Sequence, residues 1–110
     1  MSPVTYSIIF DVVPERREEF LERLGGVLDA MRSEPTFCEA ILHRDPERAD
    51  RFMLYETWES HEEVLEVQLA RPYRIAWHEA LPRVLQRERD VTIWQPVRSD
   101  RATTPPKVRR

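Results

Sequence analysis

At 110 residues, 41% hydrophobic and 34% charged, the chain is sized for one domain with a real core and is too short for two independent ones. Its single cysteine, Cys38, excludes an intramolecular disulfide and argues against a thiolate metal cluster. No apolar run approaches a membrane span, and Met1-Ser2-Pro3 does not open a basic-then-apolar leader, so a cytoplasmic protein with no membrane partner is expected.

Val4 to Val13 alternates Tyr6/Ile8/Phe10/Val12 with Ile9/Asp11/Val13, the period of a strand. Pro14 ends it and suits the first turn of a helix, which the spacing of Phe20, Leu21, Leu24, Val27, Leu28 and Met31 extends over Glu15 to Arg32. Gly25-Gly26 weakens that helix, and a close approach to the sheet is one reason for such a pair. Glu34-Pro35 breaks the helix, and Phe37 to Arg44 alternates again as a strand. Asp45 to Asp50 is a polar connection of hairpin length, so the strand Arg51 to Trp58 should pair antiparallel with the one before it.

Ser60-His61-Glu62-Glu63 reads as a capping box, in which the Ser60 hydroxyl accepts from the Glu63 amide and the Glu63 carboxylate reaches back to the Ser60 amide. The helix it opens runs from His61 to about Ala70, and Pro72 restarts a helix with Tyr73, Ala76, Trp77, Ala80 and Leu81 on one side. Pro82 disfavours helical geometry at Leu81, which makes Pro82 to Gln86 a separate turn or a kinked continuation. Asp90 to Val97 is the last strand, with Pro96 marking its end or an edge position.

Strand, helix, strand, strand, helix, strand is the order of an α+β ferredoxin-like domain, a four-stranded antiparallel sheet with helices on one face. Both faces of the first and third strands are nonetheless mostly apolar, and the simplest cover for the second face is another copy of the chain, a homodimer. The domain is assigned to residues 1–97. Arg98, Arg101, Lys107, Arg109 and Arg110, around Thr103-Thr104-Pro105-Pro106, give residues 98–110 the character of a basic, disordered tail. With net charge -3 overall the body is acidic and would repel a phosphate backbone, so no nucleic-acid partner is expected.

Gly25 and Gly26 are the only glycines, which rules out a phosphate-cradling loop or dinucleotide fingerprint, and His43, His61 and His78 are too scattered for a paired-histidine metal motif. Gln68 lies on the apolar side of its helix, either as a structural hydrogen bond between helices or as a polar group aimed at a ligand cavity. Tyr73 and Trp77 share a helix face and, with Trp58, are either core or the lining of a flat aromatic pocket. His78 is the best acid-base candidate by chemistry, although its position near Arg74 also suits an exposed histidine. His43 lies on the strand face of Ile41 and is the second candidate, whereas His61, in a first helical turn, reads as surface.

Glu34-Pro35, the strand ending His43-Arg44-Asp45-Pro46, the run from Arg51-Phe52 through Tyr55-Glu56-Thr57-Trp58-Glu59-Ser60, and Leu69-Ala70-Arg71-Pro72-Tyr73 together resemble the antibiotic biosynthesis monooxygenase domain family of dimeric α+β barrels. The resemblance extends over Val4 to Val97 and implies a cofactor-independent monooxygenase that oxidises a small electron-rich aromatic, such as a quinol, anthrone or polyketide-type phenol, with O2. It implies no cofactor and no metal, His78 or His43 in proton transfer, and Trp58, Gln68, Tyr73, Trp77 and Phe10 in substrate binding. Many relatives carry a histidine where this chain has Gln68, so that residue's proton-transfer role does not carry over. Haem-degrading relatives match His78 in spacing, but have tryptophan at the position of Gln68 and asparagine near that of Phe10. The alternatives are a non-oxidative isomerase or cyclase using the same cavity, and a haem- or small-ligand-binding module without turnover.

Overall fold

The computed structural model describes residues 2–103. β1 (Val4–Asp11) is an inner strand of a wholly antiparallel sheet, flanked by β3 (Arg48–Trp58) and β4 (Asp90–Trp94), with β2 (Phe37–Asp45) outside β3. The register sets Ile8 opposite Leu54, Phe10 opposite Phe52 and Val4 opposite Trp58, so the apolar sets of the two inner strands fall on one face. The α+β ferredoxin-like architecture expected from the element order is the one observed.

That face is covered by α1 (Arg17–Met31) and α3 (Pro72–Val84), with the short α2 (His61–Glu66) between β3 and α3. A 3-10 turn over Pro14–Arg16 leads into α1, which buries Phe20, Leu24, Val27 and Met31 at helical spacing. Phe10, Phe20, Phe52 and Trp77 meet in tilted and edge-to-face pairs with centroids 5.1–6.1 Å apart, forming the aromatic centre of the core. A Cβ added at Gly25 or Gly26 would meet nothing within 4 Å, so a close helix-sheet approach does not account for the pair.

The β2-β3 connection is tighter than expected. β3 already begins at Arg48, and the Asp45 carboxylate accepts from the Glu47 amide at 2.9 Å across the turn. In the capping box the Ser60 hydroxyl accepts from the Glu63 amide at 3.2 Å, whereas the Glu63 carboxylate accepts from the Thr36 hydroxyl and ties α2 to the start of β2. α2 stops at Glu66, and Gln68–Ala70 forms a 3-10 turn. Pro72 holds Arg71 extended, at φ -64 and ψ 137, so one helix cannot run on into the next.

α3 continues through Pro82 instead of breaking there. Pro82 sits close enough to the helix end that only the His78 carbonyl loses its N–H donor, and the next turn closes with Leu85 N–H to the Leu81 carbonyl at 2.9 Å. The Val13 amide to the Val84 carbonyl and the Gln86 amide to the Asp11 carbonyl, both 2.8 Å, then pin the end of α3 to the end of β1. β4 ends at Trp94, before Pro96, and is exposed along its length.

Among the described residues the other sheet face carries no helix. Thr5 and Thr57 share a hydrogen bond of 2.9 Å there, Trp94 Nε1 donates to Ser7 Oγ, and Ile41, Tyr55 and Trp94 are exposed. Among the described residues no helix is long and apolar enough to cross a membrane. The expectation of a disordered tail falls largely on residues 104–110, which lie outside the described residues.

Candidate active site

Between the covered sheet face and the helices lies a cavity of about 190 Å³. Ile8, Phe10 and Leu54 from the sheet, Val27 from α1 and Trp77 from α3 give it apolar walls, and β4 closes one side with Val91 and Ile93. Into this apolar setting project Tyr6, Glu56, His61, Arg74, His78 and Arg89.

Glu56 occupies the middle of the buried set of β3 and is 3% exposed, and Arg74, on the inner side of α3, is 7% exposed. Arg74 Nη2 stands 3.8 Å from Glu56 Oε1, an ion pair too long to be a hydrogen bond. The Arg74 guanidinium instead lies over the Trp58 ring at 5.6 Å, and Trp58 Nε1 donates to Glu56 Oε1 at 3.4 Å. Arg74 Nε and Nη2 are buried with no hydrogen-bond partner among the described residues. Burial pushes the Glu56 carboxyl above the usual carboxylate range, against the opposing charge of Arg74.

Tyr6 Oη and His61 Nδ1 are 2.6 Å apart. Burial, helped by the Glu56 charge, pushes the Tyr6 phenol up to about 12, so it stays protonated and able to donate to that nitrogen. His78 follows Arg74 by one helical turn on α3 and is half-buried. Burial first, then the charges of Arg89 and Arg74, hold its imidazole below the ordinary histidine value, which keeps it neutral and able to accept a proton at neutral pH. Arg89, just before β4, is lowered by burial and by repulsion from Arg74. His78 and Arg89 also border an outer groove of about 530 Å³ and so stand at the mouth of the cavity.

Of the residues singled out from sequence, His78, Trp77 and Phe10 line this cavity. Trp58, fully buried, backs the Arg74 guanidinium instead of forming a wall. Gln68 is fully buried away from the cavity, where its Oε1 lies 3.3 Å from Tyr73 Oη, and Tyr73 in turn donates to Glu34 at 3.0 Å. One phenol proton cannot serve both acceptors. Turning the Gln68 amide over would let Nε2 donate to Tyr73 Oη while that phenol donates to Glu34, which removes the competition between two acceptors and makes Gln68 a tie between its turn and α3. Tyr73 faces a groove beside α1, with Glu22 and Gly26, instead of the aromatic pocket. His43 is exposed on the uncovered sheet face beside Met53 and does not meet His78.

Tyr6, Glu56, Arg74, Arg89 and His61 were not singled out as site residues, and His61, expected at the surface, is half-buried against Tyr6. Two of them carried a readable signal. Glu56 is the one charged member of the apolar set Phe52/Leu54/Trp58, and Arg74 lies on the helix face of Trp77 and Leu81. A charge placed on an apolar face has to be matched by something. Among the described residues no group of three or more His, Cys, Asp or Glu could hold a metal ion.

A family model described as antibiotic biosynthesis monooxygenase matches residues 3–80. A protein of Pestalotiopsis microspora named "Putative monooxygenase GME11364" is 31% identical over 94 residues, covering 83% of this chain and 77% of its own. Among solved structures, Rv0793 from Mycobacterium tuberculosis matches with a TM-score of 0.81 at 20% identity over 89% of this chain and 98% of its own. A mutant form of SnoaB, a cofactor-independent oxygenase from Streptomyces nogalater, matches with a TM-score of 0.77 at 17% identity over 90% of this chain and 97% of its own. At these identities the two structures speak for the fold.

Proposed function

The chain belongs to the antibiotic biosynthesis monooxygenase family, and from that premise we propose that it is a cofactor-independent monooxygenase that oxidises a small electron-rich aromatic, a quinol, anthrone or polyketide-type phenol, with O2. The observation that carries the reading is that His78, whose charged form burial and two arginines disfavour, faces the same apolar cavity as the Arg74 and Arg89 guanidinium groups.

His78 takes the acidic proton of the bound substrate. The resulting anion is stabilised by Arg74 and Arg89 across a low-dielectric cavity, where each charge acts more strongly than in water. Phe10, Trp77 and the aliphatic walls hold the ring and keep water out. The anion passes electrons to O2, one oxygen atom bonds to a ring carbon, and the O–O bond breaks as that carbon loses its hydrogen. The second oxygen leaves as water with this proton and the one that His78 returns. Both electron pairs needed come from the substrate, which is released as the oxygenated quinone-type product. The uncovered sheet face, with Ile41, Tyr55 and Trp94, supports a homodimer as the working unit.

Oxygen uptake over a panel of hydroquinones and anthrones, with 18O2 tracing one atom into product, tests the reading. Uptake above the uncatalysed rate with one labelled oxygen per product is expected, and uptake at the background rate throughout the panel overturns it. Conversion that proceeds equally under strict anaerobiosis would replace it with a non-oxidative isomerase or cyclase.

A further inference from the structure

The polar groups facing the cavity are unbalanced. Among the described residues that line it, Arg74 and Arg89 are the guanidinium cations and Glu56 is the one carboxylate. Glu88 lies next to Arg89 but borders the outer groove. Arg74 meets Glu56 only at 3.8 Å, and its Nε and Nη2 have no acceptor among the described residues although the side chain is buried. A buried guanidinium brings five N–H donors and normally finds partners for them, and leaving such donors empty in an apolar enclosure costs stability. The Trp58 ring beneath it offers a π face but no acceptor for those N–H groups.

We infer that the cavity takes a hydroxylated aromatic acid, whose carboxylate docks on the Arg74 guanidinium with Arg89 as the second cation. A planar carboxylate matches the guanidinium fork in geometry, supplies the missing acceptors and restores the charge balance at once. The cavity volume narrows the class. At about 190 Å³ it is below the roughly 300–1,000 Å³ usual for drug-sized ligands, so the buried part is one or two rings. Any larger portion extends past His78 and Arg89 into the outer groove. The inference rests on the oxygenase reading for the phenolic part of the ligand, while the acid group is argued from Arg74 alone.

The test is therefore binding, measured apart from turnover. Isothermal titration under anaerobic conditions would compare 2,5-dihydroxybenzoate with 2,5-dihydroxybenzamide, which differ in the charged group. The acid should bind about ten- to a hundredfold more tightly, the range of hydrogen bonds to a charged group. Arg74→Met leaves Glu56 unpaired and endangers folding, so the variants are Arg74→Met combined with Glu56→Gln, and Arg89→Met alone. Each should weaken the acid selectively and bring the two ligands toward equal affinity. Equal affinity of acid and amide for the unmodified protein, failure of both to bind at millimolar concentration, or an equal loss of both in the variants overturns the acid site. Selective acid binding with oxygen uptake at the background rate for the acid and throughout the hydroquinone and anthrone panel would leave the acid site standing and remove the oxygenase reading. Equal turnover of acid and amide with equal KM would do the reverse.

Discussion

At His78 burial and the neighbouring charges act in one direction. Burial and two arginines disfavour its imidazolium, so its folded value lies below that of the unfolded chain. The unfolded state then binds a proton that the folded state resists, and this group's contribution to stability is lost as the pH falls below about 6.5. If His78 is the base, kcat/KM should hold from neutral pH down past that ordinary value and fall only below it. Arg89→Met, which removes one repelling charge, should shift the acid limb upward. An acid limb already above the ordinary value in the unmodified protein would assign the proton to another group. Glu56 and Arg74 make a second prediction at this scale. Arg74→Met should lower unfolding free energy in urea by about 3–5 kcal/mol because it strands a buried carboxylate, whereas Arg74→Met with Glu56→Leu should recover most of that loss. Equal losses in the single and double variants would mean that the pair is not coupled. These residues also show why the site was harder to read than the fold. Glu56 and Arg74 stood out only against the apolar faces that hold them, and Arg89 precedes a strand with no local pattern to mark it.

The elements were more legible, because period-2 and helical spacing act locally and the caps are written in single residues. The strands and the start of α2 follow from such signals. Boundaries that depend on tertiary contacts do not. α3 runs through Pro82 because its last turn is fastened to β1 by the Val13 and Gln86 amides, and the Glu63 carboxylate deserts the capping box for Thr36, a residue distant in sequence. α1 carries the clearest prediction here. Since nothing stands within 4 Å of a Cβ at either glycine and neither has a positive φ, Gly25→Ala and Gly26→Ala should each stabilise the protein by about 0.5–1 kcal/mol. Thermal or urea unfolding would measure it, and a loss of stability on either substitution would mean that the glycines are required for another reason.

At the scale of the molecule, the sheet has one face buried under helices and one that the described residues leave bare. Tyr55 and Ile41 are cross-strand partners on the bare face and both are exposed. Light scattering after size exclusion should give twice the chain mass, and Tyr55→Glu, placing a charge in the centre of that face, should shift the mass toward one chain with little change in helix content. A single-chain mass for the unmodified protein would remove the homodimer. His43 shares this bare face and is not among the residues that line the cavity holding His78.

The shortness of β4 has a kinetic consequence. It is the outermost strand on its side, runs only from Asp90 to Trp94, and supplies Val91 and Ile93 to the cavity wall immediately after Arg89. Amide protons of an exposed edge segment exchange with solvent through local opening, whereas those of an inner strand wait for much larger excursions. Deuterium should therefore enter Val91–Trp94 well before Ile8–Phe10, and a bound aromatic ligand should slow the first set and leave the second unchanged. Fraying of this thinnest wall would then widen the mouth that Arg89 borders, with the rest of the sheet staying closed.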